Sequence, residues 1–584
     1  MALTKVTFSM IDGGIANAQD FGAIGDGIAD DGPAIQLAID SMSNGQTLYI
    51  PSTSDYYRIN ATDLSSAILV DKEITIILDG ELRGTTSINQ ANPPYVMYVT
   101  ANNVVIKGYG TFQGNGTIVQ NEGTGVNRPG LLRIDSDSVT VDGINFIQQP
   151  EVSIFGYGSN HLTVQNCTFK GYVTSGGAPQ YYAVDVEDST EGVKVINNSF
   201  LMYDATHSTM QAIAMVQGLH YHAIISGNYA EEPYDHLVYA NLVNSVISNN
   251  TSKQTVIGGA IKINAGFSNT IIGNSLRSAN TAISCINQSN LTVVGNVIDR
   301  LYSGYGILVY DNTGGSNAMN NIVIANNVID GMGLAGNGLY GGIGYAPTAA
   351  SGNCLIEGNI INNCGNDDTT TAQIYAADAG SKTNLIIRNN TISGNTGQYG
   401  IYVADASYCS IQGNQITPTG GTTPLFRGIR INVSNDLDID SNYIRDAGTS
   451  ATLDTGIQVD TSTNYNITNN TVLGWVYSGS NTPWEFGAST KYGNSCSVDT
   501  LTGVVTLSAA ATKTVTNANI STTSTTGGDC YVRLTPLNAS AATLTGSANC
   551  LYVSTMTVLT SFVLSTASGS AAAGTEIFAY EIVQ

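Results

Sequence analysis

Short runs in which every second residue is apolar recur through the middle of the chain, among them VKVINNSF, TIIGNSL, LTVVGNVI, IVIANNVI, CLIEGNII, LIIRNNTI and CSIQGNQI. Each run meets an Asn or Gly-Asn turn, and these turns fall at Asn198, Asn228, Asn250, Asn274, Asn296, Asn327, Asn359, Asn390, Asn414, Asn442 and Asn470. The mean step is about 27 residues, the spacing of a long-period solenoid. A second alternating run precedes each turn by about ten residues, as in AVDVED, AIAMVQ, AIKINA, AISCIN, GILVYD, GIYVAD, GIRINV and GIQVDT. Alternation with period 2 sends successive side chains to opposite faces of a strand. A single coil cannot bury its apolar face, but stacked coils share one core and pair every strand edge except at the two ends. Asn suits the bend, because it tolerates left-handed backbone and can hydrogen-bond to the Asn of the next coil. A leucine-rich repeat would need fixed Leu positions and a tighter period, and the sequence has neither. The pattern therefore predicts an all-β fold, a right-handed parallel β-helix.

The open ends of such a stack require caps. FGAIGDGIADDGPAIQLAIDSM reads as a Gly/Asp turn and then a short amphipathic helix. Asp31 is its expected N-cap, Pro33 sits in its first turn, and Ile35, Leu37, Ala38 and Ile39 supply its apolar side. TLYIPS is expected as the first strand. The Asn rhythm ends at residue 470, and GWVYSGSNTPWEFG follows, with Trp475 and Trp484 expected to seal the stack. After it, GVVTLSA, CYVRLTP, CLYVSTM, SFVLSTA and EIFAYEIV predict a small C-terminal β-sandwich. The expected organisation is an N-terminal peptide (1–20), a capping segment (21–60), the β-helix (61–478), an aromatic linker (479–493) and a C-terminal β-domain (494–584).

Composition narrows the partners. Only 11 % of residues are charged while Gly reaches 64 and Tyr 31, which fits a turn-rich β architecture and opposes disorder. The net charge of −23 comes without any block of Lys or Arg, so nucleic acid is not an expected partner, and the acidity reads first as solubility. Eight cysteines (167, 285, 354, 364, 409, 496, 530 and 550) lie scattered without CxxC or metal-ligand spacing, so they read as small buried residues. Neither a metal nor another cofactor is expected. MALTKVTFSMIDGG holds no apolar run long enough for a signal peptide, and no segment could insert in a membrane. Synthesis in a cytoplasm and release by a route other than secretion, such as lysis, are expected.

Phe21-Gly22-Ala23, Gly25-Asp26-Gly27, Asp30-Asp31, Ala34-Ile35, Ala38-Ile39 and Tyr49-Ile50-Pro51 together resemble the N-terminal motif of the pectate-lyase-like superfamily, in its branch of phage tailspikes and capsule depolymerases. The opening MALTKVTFSMI is similar to the short N-terminal peptide of podovirus secondary spikes, which dock to another tail spike or an adaptor. The closing AAGTEIFAYEIV is similar to the C-terminal β-domain of such spikes, associated with trimerisation or carbohydrate contact. The resemblance implies a homotrimer carried on a virion, binding and endo-cleaving a bacterial capsular or exopolysaccharide.

Glycoside hydrolysis needs two carboxyl groups across the scissile bond. Elimination needs a base beside a uronate and a cation for its carboxylate. Either set should project outward from the strand stack. Aligned first strands put Asp185 and Glu187 on one face, about 7 Å apart at Cβ. Lys262 and Asn264 take the corresponding columns three coils later, and Asp235 and His236 open the strand between. Asp185, Glu187, Asp235, His236 and Lys262 are the candidate catalytic residues. Tyr181, Tyr182, Tyr239, Asn264, Tyr305, Tyr310 and Asp311 are candidates for substrate binding, the tyrosines by stacking on sugar faces. His220 and His222 read as strand packing. The order is similar to that of polygalacturonase-type glycosidases, with Asp185 on a matching column and Lys262 in AIKIN similar to their basic motif. It departs from them where Tyr182 replaces an acid and where Met210-Gln211 stands for an Asp pair. Hydrolysis is the first expectation, elimination the second, and a non-catalytic receptor-binding adhesin the third.

Overall fold

The computed structural model describes residues 14–84, 95–114, 129–148, 151–171, 182–202, 211–299, 304–312, 318–331, 341–364, 372–378, 380–394, 398–417, 426–445, 453–473, 482–485, 490–492, 495–496, 502–517, 520, 531–557 and 560–583, with backbone alone in the strands between 482 and 496. Tyr181, Trp475, the first thirteen residues of the N-terminal peptide and most of the aromatic linker lie outside the described residues, as does the side chain of Trp484.

The chain divides into two compact units, residues 1–313 and 314–584. In the first, each coil is made of three short strands. Val152–Tyr157, Thr163–Gln165 and Thr168–Gly171 form one coil, and Tyr182–Glu187, Lys194–Ile196 and Ser199–Met202 form the next. Each strand pairs in parallel with its counterpart one coil on. The second unit repeats this plan, for example in Tyr399–Ala404, Ala406–Gln412 and Gln415–Thr417. The fold is the right-handed parallel β-helix that the alternation predicts.

Inside, like side chains stack on like. Phe112, Phe146, Phe169 and Phe200 form a ladder with ring centroids 5.4, 5.0 and 5.0 Å apart. The turn asparagines form another. In the first unit the side-chain amide of Asn198 donates to Asn228 Oδ1 at 3.0 Å, Asn228 to Asn250 at 2.9 Å, Asn250 to Asn274 at 3.0 Å and Asn274 to Asn296 at 2.9 Å. The same oxygens also accept the backbone N–H of the preceding ladder Asn, as Asn250 Oδ1 does from Asn228 at 3.0 Å. The second unit builds the same ladder from Asn327 to Asn470. These asparagines are buried. The left-handed backbone belongs to the residue before each, such as Asn197, Gly227, Asn249 and Gly273. The two virtues of Asn thus divide between neighbours: one residue makes the bend and the next satisfies the buried backbone.

The N-terminal segment corrects three expectations. Ile15–Asn17, not TLYI, is the first strand, and it pairs with Thr47–Ile50. The helix Gly32–Asp40 follows Asp31, but the Asp31 carboxylate makes no cap bond to it. Instead it accepts the N–H groups of Ile24, Gly25 and Arg58, pinning the Gly/Asp loop onto a strand. Leu37 points to solvent, leaving Ile35, Ala38 and Ile39 as the buried side. The C-terminal domain is a pair of three-stranded antiparallel sheets. Phe562, Phe578 and Leu564 lie in its core. It also carries an unanticipated helix, Ala539–Thr545, capped where Asn538 accepts the Ala541 N–H at 2.8 Å.

Five of the cysteines with described side chains are buried and Cys550 is half-buried, all as free thiols. His220 is buried as expected, its Nδ1 2.8 Å from Thr190 Oγ1. His222 instead occupies an exposed left-handed turn.

Two stability predictions follow from these buried groups. Asn250→Ala removes the acceptor of two buried donors and should cost about 3 kcal/mol. A loss below about 0.5 kcal/mol in denaturant unfolding, the range of ordinary surface substitutions, would remove the ladder from the account. Burial pushes the His220 imidazole down to about 4, so the folded state holds it neutral. The unfolded state takes up a proton first as pH falls, so stability is full above about pH 6.5 and declines toward pH 4, by about 3 kcal/mol at most. His220→Gln should flatten that part of the pH–stability curve, and an unchanged slope would exclude the assignment.

Candidate functional site

Parallel in-register pairing turns single outward residues into columns. On the first-strand sheet of the first unit, one column runs Tyr98, Arg133, Phe155, Asp185, Ala214, Tyr239, Lys262 and Ser284 over successive coils. Two residues along each strand, a second column puts Tyr157 beside Glu187. Asp185 and Lys262 are thus three coils apart on one line, as the aligned strands predict.

The surroundings divide this face in two. At one end the acids are buried, with Asp185 0 % and Glu187 2 % exposed, where the sequence suggests solvated positions. Tyr95, Phe155, Tyr182 and Ala214 pack into one apolar cluster there, with Tyr98 and Tyr157 at its margin. Arg133 lies in the same neighbourhood, its guanidinium 5.5 Å from the Phe155 ring centre and 5.6 Å from that of Tyr98. It donates to Asp135 through Nε and Nη2 at 2.9 and 2.8 Å, and Tyr98 donates its hydroxyl proton to Asp135 at 3.0 Å. Burial first, then the nearby charges of Asp185, Glu151 and Asp135, hold the Tyr95 phenol well above its usual range against the pull of Arg133. Arg133, Asp135, Glu151, Tyr95 and Tyr98 are additions to the expected set. The signal for Arg133 and Asp135 was LLRID at 131–135, which aligns in the same frame two coils before Asp185.

At the other end Asp235, Tyr239 and Lys262 are half-exposed around a buried His236, and one carboxylate faces one ammonium group. Lys262 Nζ stands 4.7 Å from the centre of the Tyr239 ring, and the His236 ring lies 5.3 Å from the same ring. His236 Nδ1 is 2.6 Å from the carbonyl of Gly259, which can only accept, so Nδ1 carries the proton and Nε2 faces Asp235 Oδ1 at 3.5 Å. Gln211 Nε2 reaches the other Asp235 oxygen at 3.4 Å. Burial lowers the His236 pKa and the Lys262 charge lowers it further, while Asp235 opposes both. Tyr239 is pushed above its usual range by burial, then by Asp235 and Tyr310. The neighbourhood therefore offers a neutral imidazole, a protonated phenol, a carboxylate and an ammonium group, together able to move a proton beside an anionic group.

The expected catalytic residues do not form one constellation. Asp185 and Glu187 lie on the strand Tyr182–Glu187, whereas Asp235 and His236 lie in the bend before the strand Val238–Val243, two coils on. Asn264 is displaced from the Glu187 column, because a bulge makes it the extra residue between partners of Ala240 and Asn241. Tyr182, Tyr305 and Asp311 are buried and present no sugar-stacking face, whereas Tyr239 and Tyr310 are half-exposed. Tyr305 lies two residues before the strand Ile307–Tyr310 and is buried like its inward residues Ile307 and Val309. Among the described residues no group of three or more His, Cys, Asp or Glu side chains is disposed to hold a metal ion, and no helix is long and apolar enough to cross a membrane.

Two family models match parts of the chain. Glycosyl hydrolases family 28 matches residues 41–216, which include Asp185 and Glu187 and stop short of Asp235. The right-handed β-helix region matches residues 348–499. The resemblance to the pectate-lyase-like superfamily stands on these two matches. Mannuronan C5-epimerase AlgE3 of Azotobacter vinelandii is 47 % identical over 55 residues, 9 % of this chain and 3 % of the length of that relative. Among solved structures, the tailspike protein of E. coli bacteriophage HK620 in complex with a pentasaccharide is 12 % identical, with 98 % of this chain and 94 % of that one covered and a TM-score of 0.44. A family 28 exopolygalacturonase of Yersinia enterocolitica is 12 % identical over 78 % of each chain, with a TM-score of 0.35.

Gly258 sets the position of Asp235, because a Cβ there would overlap Asp235 Oδ1. Gly258→Ala should displace the carboxylate from His236 and shift the His236 titration, read by NMR of the imidazole. An unchanged His236 titration in a folded variant would separate Gly258 from the site.

Proposed function

We propose that the chain is a phage tail-spike subunit that binds and endo-cleaves a bacterial capsular or exopolysaccharide during host attachment. The observation that carries this reading is the outward column itself. Over six successive coils, from Arg133 to Lys262, this column and the one beside it hold a cation–carboxylate pair, a second pair of acids, an aromatic ring and a lysine. A long glycan lying along the coils would meet the half-exposed Tyr239 and Lys262 directly, and would reach Asp185 and Glu187 only where the packed rings around them give way. The N-terminal peptide and C-terminal β-domain fit attachment to another spike or adaptor and assembly as a homotrimer on the virion, with no nucleic acid and no membrane as partner.

For the cleavage step we favour glycoside hydrolysis by Asp185 and Glu187. They are adjacent outward acids on one strand, about 7 Å apart at Cβ, near the separations at which one carboxyl acts as acid and the other as base or nucleophile. Asp235, His236 and Lys262 would then hold the neighbouring residue of the polymer.

One observation favours a second reading, elimination on a uronate. His236, Tyr239 and Lys262 already touch, with the imidazole neutral, the phenol protonated and the ammonium ready to neutralise a carboxylate. In that case His236 takes the proton from the uronate and Tyr239 donates one to the leaving oxygen. Its acid limb should lie below the ordinary imidazole range, because burial lowers the His236 pKa.

Product analysis on a panel of capsular polymers separates the two. Hydrolysis predicts saturated oligosaccharides with new reducing ends, and a fall in kcat of about 10²–10⁴ for Asp185→Asn or Glu187→Gln. Elimination predicts ultraviolet-absorbing unsaturated ends and a comparable loss for His236→Ala or Lys262→Ala. Binding of a polymer with no fall in its size would identify an adhesin instead, and wild-type cleavage by all four variants would move the site elsewhere.

A further inference from the structure

The second unit carries its own outward column on the first-strand sheet, and nothing in the cleavage reading uses it. Tyr375, Tyr402, Arg430 and Gln458 lie in register on consecutive coils. The Tyr375 and Tyr402 rings are half-exposed, 5.8 Å apart and inclined by 44°. Buried Tyr399 backs Tyr402, nearly parallel at 5.1 Å. The polar groups beside them are fixed in place. Arg430 donates through Nη1 to the Tyr399 hydroxyl at 2.6 Å and through Nε to Asp460 at 3.1 Å, while Gln458 donates to the other Asp460 oxygen at 3.0 Å. The Arg430 guanidinium also lies over Tyr399 and Tyr402, at 5.5 and 5.7 Å from their centres.

We infer that this face is a second glycan-binding site, which stacks neutral pyranose rings on Tyr375 and Tyr402 and holds their hydroxyls with Arg430 and Asp460, the latter braced by buried Gln458. Three features point to a sugar. Half-exposed aromatic faces offer apolar area to the C–H side of a pyranose, and immobilised donors and acceptors at their edge meet its hydroxyls at low entropic cost. Adjacent coils are about 4.8 Å apart, close to the length of one hexopyranose along a chain, so consecutive rings of one polymer would meet consecutive tyrosines. The local charges balance, with Arg427 beside Tyr399 and Arg430 set against Asp460 and Asp378, so the face needs no ionic sugar although the whole chain is strongly acidic. Burial, with Asp378 and Tyr402, pushes the Tyr375 phenol up to about 12, so it stays a neutral donor across ordinary pH. The choice of a polysaccharide over another polyol rests on the cleavage reading, but the site does not depend on which reaction the first unit performs.

The test uses the full chain and an array of immobilised, purified capsular and O-chain polysaccharides. Tyr375→Ala and Tyr402→Ala should each weaken binding to the polymer held by the unsubstituted chain by about tenfold. Tyr402→Phe, which keeps the ring, should restore it, and light scattering should give all variants the same mass. Unweakened binding by both alanine variants would overturn this inference and leave the cleavage reading standing. A changed mass would assign the face to contact between copies and overturn the glycan site. If the unsubstituted chain holds none of the polymers, both readings fall.

Discussion

The buried asparagine ladder is the constraint on which the rest depends. A parallel coil must turn, and each turn leaves backbone N–H and C=O groups inside an apolar stack, where leaving them unmade costs more than the bonds return. One side-chain amide per turn settles this. Asn250 accepts from the backbone and side chain of Asn228, and donates to Ile225 O and to Asn274. Because each amide is held by the coils on either side, no coil can slip by one residue without exposing unsatisfied groups. A one-residue slip would also carry the apolar set to the outside.

Register held this firmly has a chemical consequence. Outward residues far apart in sequence become neighbours in straight columns, and the chain needs no special loop to assemble them. Arg133, Asp185, Tyr239 and Lys262 stand on one line because Phe155, Ala214 and the strands between keep the count. The one described departure within the Tyr239–Lys262 pair, the bulge at Asn264, changes which side chain reaches the face. In the second unit the same rule gathers Tyr375, Tyr402 and Arg430 into a different chemistry.

Within the first unit, the face is graded. Around Asp185 the acids sit among packed aromatic rings, where each Coulomb interaction is strengthened by exclusion of water. Around Asp235 and Lys262 the groups are half-exposed and meet through a single ring, Tyr239. The two ends of one column thus differ in how far water reaches their charged groups.

The β-helix was legible in the sequence because its causes are local and repeated. Period-2 alternation and the Asn turns state the strand, the inside and the coil length over and over, and columns such as Asp185 to Lys262 follow by counting. The capping helix was also legible, but not the work of Asp31, whose carboxylate bonds to Ile24, Gly25 and Arg58, the last of them 27 residues along the chain. What only the tertiary structure decided was burial and meeting. Asp185 and Glu187 read as outward, solvated candidates for catalysis, yet both are buried next to a cluster of Tyr95, Phe155 and Tyr182, while Asp235 meets His236 in the bend before another strand. Alternation fixes the side of the sheet on which a residue lies. Whether water reaches it depends on what other coils fold over that side, and no local period records that.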